Sequence, residues 1–211
     1  MITKKILFLF ILCALSSAVF GQQYSIQQYL NIRSASSPTL SADGKRLAYL
    51  TNVSGTSQIW MIDLSNGVPK QMTNYDDNIG FVEWSPAGNG IVFGKARGGD
   101  ENTQFFWMAS DGSTTQELTN NPKVRHNFGE ISVDGTKIYY SSNKRDKNFF
   151  DVYSMEVATG KEELVFQQDG SNSVAAVSKD GSKLIVSRSG TELSLDNNLY
   201  LIDAKTKKKR F

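Results

Sequence analysis

The stretch VRHNFGEISVDGTKIYYSS, residues 124–142, holds the only histidine of the chain, His126, ahead of an Asp-Gly pair, Asp134-Gly135. It poses a choice between a catalytic base and one copy of a repeat. Three other segments lie over it: SADGKRLAYL from Ser41, SPAGNGIVFG from Ser85 and SKDGSKLIVS from Ser178. With Ser132, these serines stand 44, 47 and 46 residues apart. Each segment is followed by an aromatic strand and a second turn, QIWMIDLSNG, FFWMASDG, DVYSMEVATG and NLYLIDAKTK. The anchors Trp60, Phe106, Tyr153 and Tyr200 are 46, 47 and 47 apart. A period in the forties with two hairpins per unit is the signature of a β-propeller blade.

The chemistry of the unit agrees. Asp-Gly at 43–44, 134–135 and 180–181 supplies the positive φ of a tight hairpin between runs of β-branched and aromatic residues. The second copy reads Pro86-Ala87-Gly88 with a further Gly90, which predicts a turn of another type. RLAYL, GIVFG, KIYYS and KLIVS are short apolar strands. Only YSIQQYLNI, residues 24–32, has room for one or two helical turns. The expected fold is all-β, a propeller of four-stranded antiparallel blades. After a lead-in at 22–34, about four blades span 35–74, 79–120, 127–167 and 173–211. The last stops at KKKRF, short of a full outer strand. A ring left open exposes sheet edges, so the expectation is an incomplete ring, the N-terminal part of a longer protein; the alternative is a closed four-blade ring with an unusual seam.

With strands named A to D from the centre outward, the Asp-Gly and C–D turns share one face of the disc. The B–C loops and D–A connections share the other. The loops NVSGTSQ, KARGGDENTQ, NKRDKNF and RSGTELSLDNN are polar and do not repeat, and function sits where a repeat breaks. The candidates for a substrate or domain-interface role are Asp100, Glu101, Asn102, Arg125, His126, Asn127, Arg145 and Asp146.

As a general base, His126 needs a nucleophile in reach and a carboxylate on its other nitrogen. Ser132 and Ser141 are repeat positions, so His126 reads as a blade residue that orders a loop or touches a partner domain. Asp100 and Glu101 could receive a peptide's free amino group; the plainer reading is a solvated loop in which Asp100 caps a turn. Calcium lacks the alternating oxygen ligands it needs there. Arg145 and Asp146 read as an internal loop pair or an interface contact. The recurring aromatic residues, among them Trp84, Tyr139 and Tyr140, read as packing between blades.

The amino terminus, MITKKILFLFILCALSSAVFG, has Lys4 and Lys5 ahead of a 15-residue, largely apolar run, 6–20. That is short of the ~20 residues a membrane span needs. Val19 and Gly21 suit cleavage before Gln22, the pattern of a signal peptide over 1–21. Cys13 follows Leu12 inside the apolar run, which argues against a lipoprotein signal. The expectation is an exported protein, periplasmic or secreted, with no stable membrane anchor. Cleavage removes two lysines and the only cysteine, taking the net charge from +2 to 0. A neutral chain argues against nucleic acid as a partner. One histidine and no cysteine leave no metal centre of those ligands. The absence of phosphate-binding glycine motifs removes support for a nucleotide, and no cofactor is expected.

Several stretches resemble the propeller of the prolyl oligopeptidase family of serine peptidases, in its exported dipeptidyl and acylaminoacyl peptidase-like branch. They are SIQQYLNIRSASSPTLSADGKRLAYLT, GGDENTQFFWM, VRHNFGEISVDG, SSNKRDKNFFDVYSM and VSRS…DNNLYLIDAKT. The likeness covers residues 24–211. Ser-x-Asp-Gly repeats are shared with TolB-like periplasmic propellers; Gly98-Gly99-Asp100-Glu101-Asn102 and Arg125-His126-Asn127-Phe128-Gly129 are more specific. The resemblance implies a propeller that gates access of short peptides to a C-terminal α/β-hydrolase domain carrying a Ser-Asp-His triad. No G-x-S-x-G pentapeptide stands in the chain, so no triad residue is assigned. The rival is a non-catalytic TolB-like propeller that binds an envelope protein or a ligand.

Overall fold

In the computed structural model, which describes residues 24–190 and 196–210, the Ser-x-Asp-Gly motif forms a self-contained turn. Ser41 N donates to Arg46 O and Gly44 N to Ser41 O, both at 2.8 Å. Asp43 Oδ1 accepts from Ser41 Oγ at 2.6 Å and from Lys45 N at 3.0 Å, while Arg46 N donates to Ser41 Oγ at 2.9 Å. The same bonds recur around Asp134 and Asp180. They favour the ionised carboxyl and hold Asp180 down to about 2. Of each Asp-Gly pair only the glycine is left-handed, at φ +67 in all three. The hairpin is therefore a four-residue loop rather than the two-residue turn that Asp-Gly suggests.

The second copy needs correcting too. Ser85 N donates to Gly90 O at 2.9 Å and Gly88 N to Ser85 O at 2.8 Å, with Gly88 at φ +71. This is the same backbone turn as in the other copies. The glycine sets its path, and Ala87, in the aspartate's place, merely forgoes the side-chain bonds.

Among the described residues, sixteen strands follow from these turns. β1 (Ala35–Leu40), β2 (Arg46–Thr51), β3 (Gln58–Asp63) and β4 (Pro69–Gln71) make the first antiparallel sheet; β5 (Ile79–Trp84), β6 (Gly90–Lys95), β7 (Gln104–Ala109) and β8 (Thr115–Glu117) make the second. The third is β9 (His126–Ile131), β10 (Lys137–Asp146), β11 (Phe149–Glu156) and β12 (Glu162–Phe166). The fourth is β13 (Ser171–Val177), β14 (Lys183–Ser189), β15 (Asn197–Asp203) and β16 (Lys209–Arg210). A single parallel pairing, Phe150 with Ser171, joins the third sheet to the fourth. The register shifts once in each first strand, β1, β5, β9 and β13; such bulges re-aim side chains. NKRDKNF is not a long loop, because β10 and β11 continue through it to a tight turn at 146–149.

Period-two alternation then stacks the sheets. Ile91 and Phe93 of β6 pack against Ala48, Leu50 and Ile59 of the first sheet, whereas Val92 faces Ile138 and Tyr140 of the third. Tyr139 points the other way, onto Leu184, Val186 and Tyr200 of the fourth. All six residues of β6 are buried, as expected of a strand covered on both faces. Each fully buried large side chain contributes roughly 1.5–3 kcal/mol.

The residues up to Arg33 form a separate unit. Its one described element is the helix α1 (Ile26–Leu30), begun by a capping box in which Ser25 and Gln28 exchange side-chain and backbone bonds. The expected signal peptide, 1–21, lies outside the described residues, as do 191–195 of the fourth B–C loop and Phe211. No described helix is long and apolar enough to cross a membrane.

Candidate functional site

At the B–C end of each sheet the register aligns one residue from each of three neighbouring strands. The rows are Ala35–Thr51–Gln58, Ile79–Lys95–Gln104, His126–Ser142–Asp151 and Asn172–Arg188–Asn198. Thr51, Gln58, Lys95, Gln104, His126, Ser142, Asp151 and Asn172 are all buried. They are polar because the connection to the next sheet folds back here, and its backbone groups need partners. Gln58 Nε2 donates to Tyr75 O at 2.9 Å and Asp77 O at 3.2 Å, and its Oε1 accepts from Tyr75 N. Gln104 repeats the clamp on Asn121 O and Val124 O, both at 2.9 Å, and on Asn121 N. Lys95 lies over the rings of Tyr75 and Phe106, 3.9 Å from Asp77 Oδ2.

Sequence reasoning missed this row. A signal existed: Gln58, Gln104 and Asp151 each stand two residues before an aromatic anchor, Trp60, Phe106 and Tyr153.

In the third sheet the row holds the residue types of a hydrolytic triad, yet it is wired otherwise. His126 is the first residue of β9 rather than part of a free connection. Its Nδ1 donates to Thr103 O at 3.0 Å, and its ring packs against Phe105 and Tyr140. Burial pushes the imidazole's pKa below its ordinary value, which favours the neutral ring. Asp151, fully buried, accepts from Arg145 Nε at 2.6 Å and Nη2 at 3.1 Å. Ser142 Oγ is buried with no hydrogen-bond partner among the described residues. The hydroxyl is thus neither activated by a base nor open to a substrate.

Arg145 and Asp146 do not pair. Arg145 also reaches Asp169 Oδ1 through Nη1 at 2.9 Å, and Asp146 accepts from Asn148 N instead. Both lie in β10, where neighbours point to opposite faces. The two carboxylates hold the guanidinium's pKa above its usual value.

The other candidates do come together. Glu101 Oε2 lies 3.0 Å from Arg125 Nη1, and Arg125 Nε donates to Asn127 Oδ1 at 3.3 Å. Asn102 Nδ2 donates to Pro122 O at 2.8 Å, and Asn102 N to Asp100 Oδ1 at 2.9 Å. The loop 97–103 is therefore tied to the connection entering the third sheet. Glu101 is already paired, in a surface bridge worth little to stability at 84 % side-chain exposure. Asp100 caps its own turn.

A cavity of about 540 Å³ opens between β1, β5 and β9, with Ser37, Phe81, Glu83, Thr103, Asn127 and Phe128 in its lining. Glu83 Oε1 accepts from Thr39 Oγ1 at 3.2 Å, and partial desolvation raises the carboxyl's pKa. Among the described residues no group of three or more His, Cys, Asp or Glu could hold a metal.

The family model of the TolB beta propeller domain, PD40, matches residues 24–210. Dipeptidyl aminopeptidase BIII of Pseudoxanthomonas mexicana is 25% identical over 134 residues, which are 62% of this chain and 19% of the relative. The chain thus spans about a fifth of that relative's length. TolB from Acinetobacter baumannii superposes with a TM-score of 0.61 at 18% identity, over 84% of this chain and 43% of that one. An acylaminoacyl peptidase in complex with Z-Gly-Gly-Phe-chloromethyl ketone gives 0.59 at 21%, over 80% and 31%.

Proposed function

The chain belongs to the TolB β-propeller family, and on that premise we propose that it is the gating propeller of an exported serine peptidase of the prolyl oligopeptidase family, acting on short peptides. The observation that carries this reading is the aminopeptidase match, which takes up most of this chain and a fifth of the relative. The triad then belongs to an α/β-hydrolase domain elsewhere in the polypeptide. The wiring of His126, Ser142 and Asp151 supports the same division of labour, since these residues brace a sheet. The hydrolase domain docks on the face where loop 97–103 and Arg125 meet.

Sequencing the gene through and beyond codon 211 tests the reading. An open frame with G-x-S-x-G, then Asp and His, supports a peptidase gate; a frame that closes without them removes peptidase activity. The second reading, a non-catalytic TolB-like binding module, is favoured by the family match and by the structural hydrogen bonds that His126 and Asp151 already make. Export with cleavage after Gly21 is part of both readings. Sequencing the amino terminus of the mature protein should give Gln22 first; Met1 there would remove export from the account.

A further inference from the structure

We propose that the cavity between β1, β5 and β9 binds a monovalent organic cation, an ammonium or amidinium on an apolar stem, with Glu83 as its counter-ion and the Phe81–Phe128 pair as its apolar wall. Three observations carry this.

Glu83 is the only carboxylate among the described lining residues, and burial lowers the pKa of His126, which disfavours its cationic form. Its carboxylate accepts one hydroxyl hydrogen bond and has no ion-pair partner among the described residues. Glu130 occupies the same place in the next repeat. It stands two residues before Ser132, as Glu83 stands two before Ser85, yet its Oε2 accepts from Val177 N at 2.7 Å and so joins the third sheet to the fourth. Glu83 also joins two sheets, through the Thr39 hydroxyl of β1, yet it lines the cavity while Glu130 does not.

The wall is preformed. Phe81 stacks on Phe128 with centroids 4.8 Å apart and meets Phe105 edge-on at 5.8 Å. Its ring occupies the place a side chain on residue 94 would take, so Gly94 makes this orientation possible. Both Phe81 and Phe128 stay half-buried, with ring surface left for a ligand.

Size and chemistry narrow the occupant. The volume falls within the ~300–1,000 Å³ of small-molecule sites. An aromatic wall beside a carboxylate attracts an organic cation and repels an anion. A hard divalent metal wants six or more oxygen ligands, which one carboxylate and scattered neutral groups do not supply. This inference needs no hydrolase domain and stands apart from the peptidase reading.

The test uses the full chain, with benzylammonium and its neutral analogue benzyl alcohol titrated by calorimetry. Benzylammonium should bind at least about 10-fold more tightly than the alcohol. Glu83→Gln, a near-isosteric change, should remove that preference, while Glu156→Gln, on the far side of the third sheet, should keep it. Equal affinity for the two probes, no benzylammonium binding to the folded chain, or an unchanged preference in Glu83→Gln would each overturn the proposal. The two-probe comparison on the unaltered chain needs no variant to fold.

Discussion

Arg145 grips Asp151 with two nitrogens, at 2.6 and 3.1 Å, and with the third reaches Asp169 in the connection to the fourth sheet. Asp151 stands where the first two sheets place Gln58 and Gln104. The glutamines clamp the next connection directly with an amide. In the third sheet a buried carboxylate does so through an arginine borrowed from the neighbouring strand.

Arg145→Ala strands the Asp151 carboxylate without its counter-charge, the costly half of breaking a buried pair. The melting temperature should fall, and Arg145→Met/Asp151→Gln, which restores the amide of the other sheets, should recover part of the loss. A thermal-melt double-mutant cycle reads the coupling; strictly additive effects would show that the pair does not act as a unit.

Gln104→Leu keeps the volume but orphans the Val124 carbonyl and the Asn121 N–H of the connection 121–124 and leaves Asn121 O only its bond from Val124 N. The expected cost is about 3 kcal/mol, read as a lower urea midpoint with an unchanged slope. Gln104→Glu should do worse, because a carboxylate would face those carbonyls.

Gly94→Ala drives a methyl into the Phe81 ring. Overpacking of this kind costs about 1–3 kcal/mol. The variant should melt earlier and bind benzylammonium more weakly, since the wall of the cavity is displaced.

His126 is the only histidine, so its linkage can be read cleanly. Its folded pKa lies below the imidazole's ordinary 6.5. Between the two values the unfolded chain binds the proton and the folded chain does not, so stability falls as pH drops from about 6.5 toward the folded value. Melting curves at pH 7.5 and 5 should differ by more in the unaltered chain than in His126→Phe. An equal pH response would show that the ring is not buried neutral.

The repeat was legible because its signals are local. Ser41, Asp43 and Gly44 close their own turn with bonds spanning two to five residues, so the motif carries its structure wherever it occurs. Trp60, Phe106, Tyr153 and Tyr200 mark the same strand in every copy, and the last three each pack into the core shared with the preceding sheet. Even here Ala87 misled, because the loss of an aspartate is visible in a sequence and the persistence of a backbone path is not.

The candidate residues divide along the same line. Glu101 and Arg125 lie 24 positions apart, and only the return of the connection past loop 97–103 brings them to 3.0 Å. The adjacency of Arg145 and Asp146 suggested a pair, which strand alternation forbids. The sequence by itself determined the number of repeat units in this stretch, their strand order and the places where turns fall, since alternation and turn residues over a few positions encode all three, but not the length or type of those turns. Only the tertiary structure decided which polar groups meet across strands and sheets. Register and stacking bury Asp151 against Arg145 and leave Glu83 without an ion-pair partner among the described residues, and the groups that meet come from segments whose separation along the chain carries no mark of their contact.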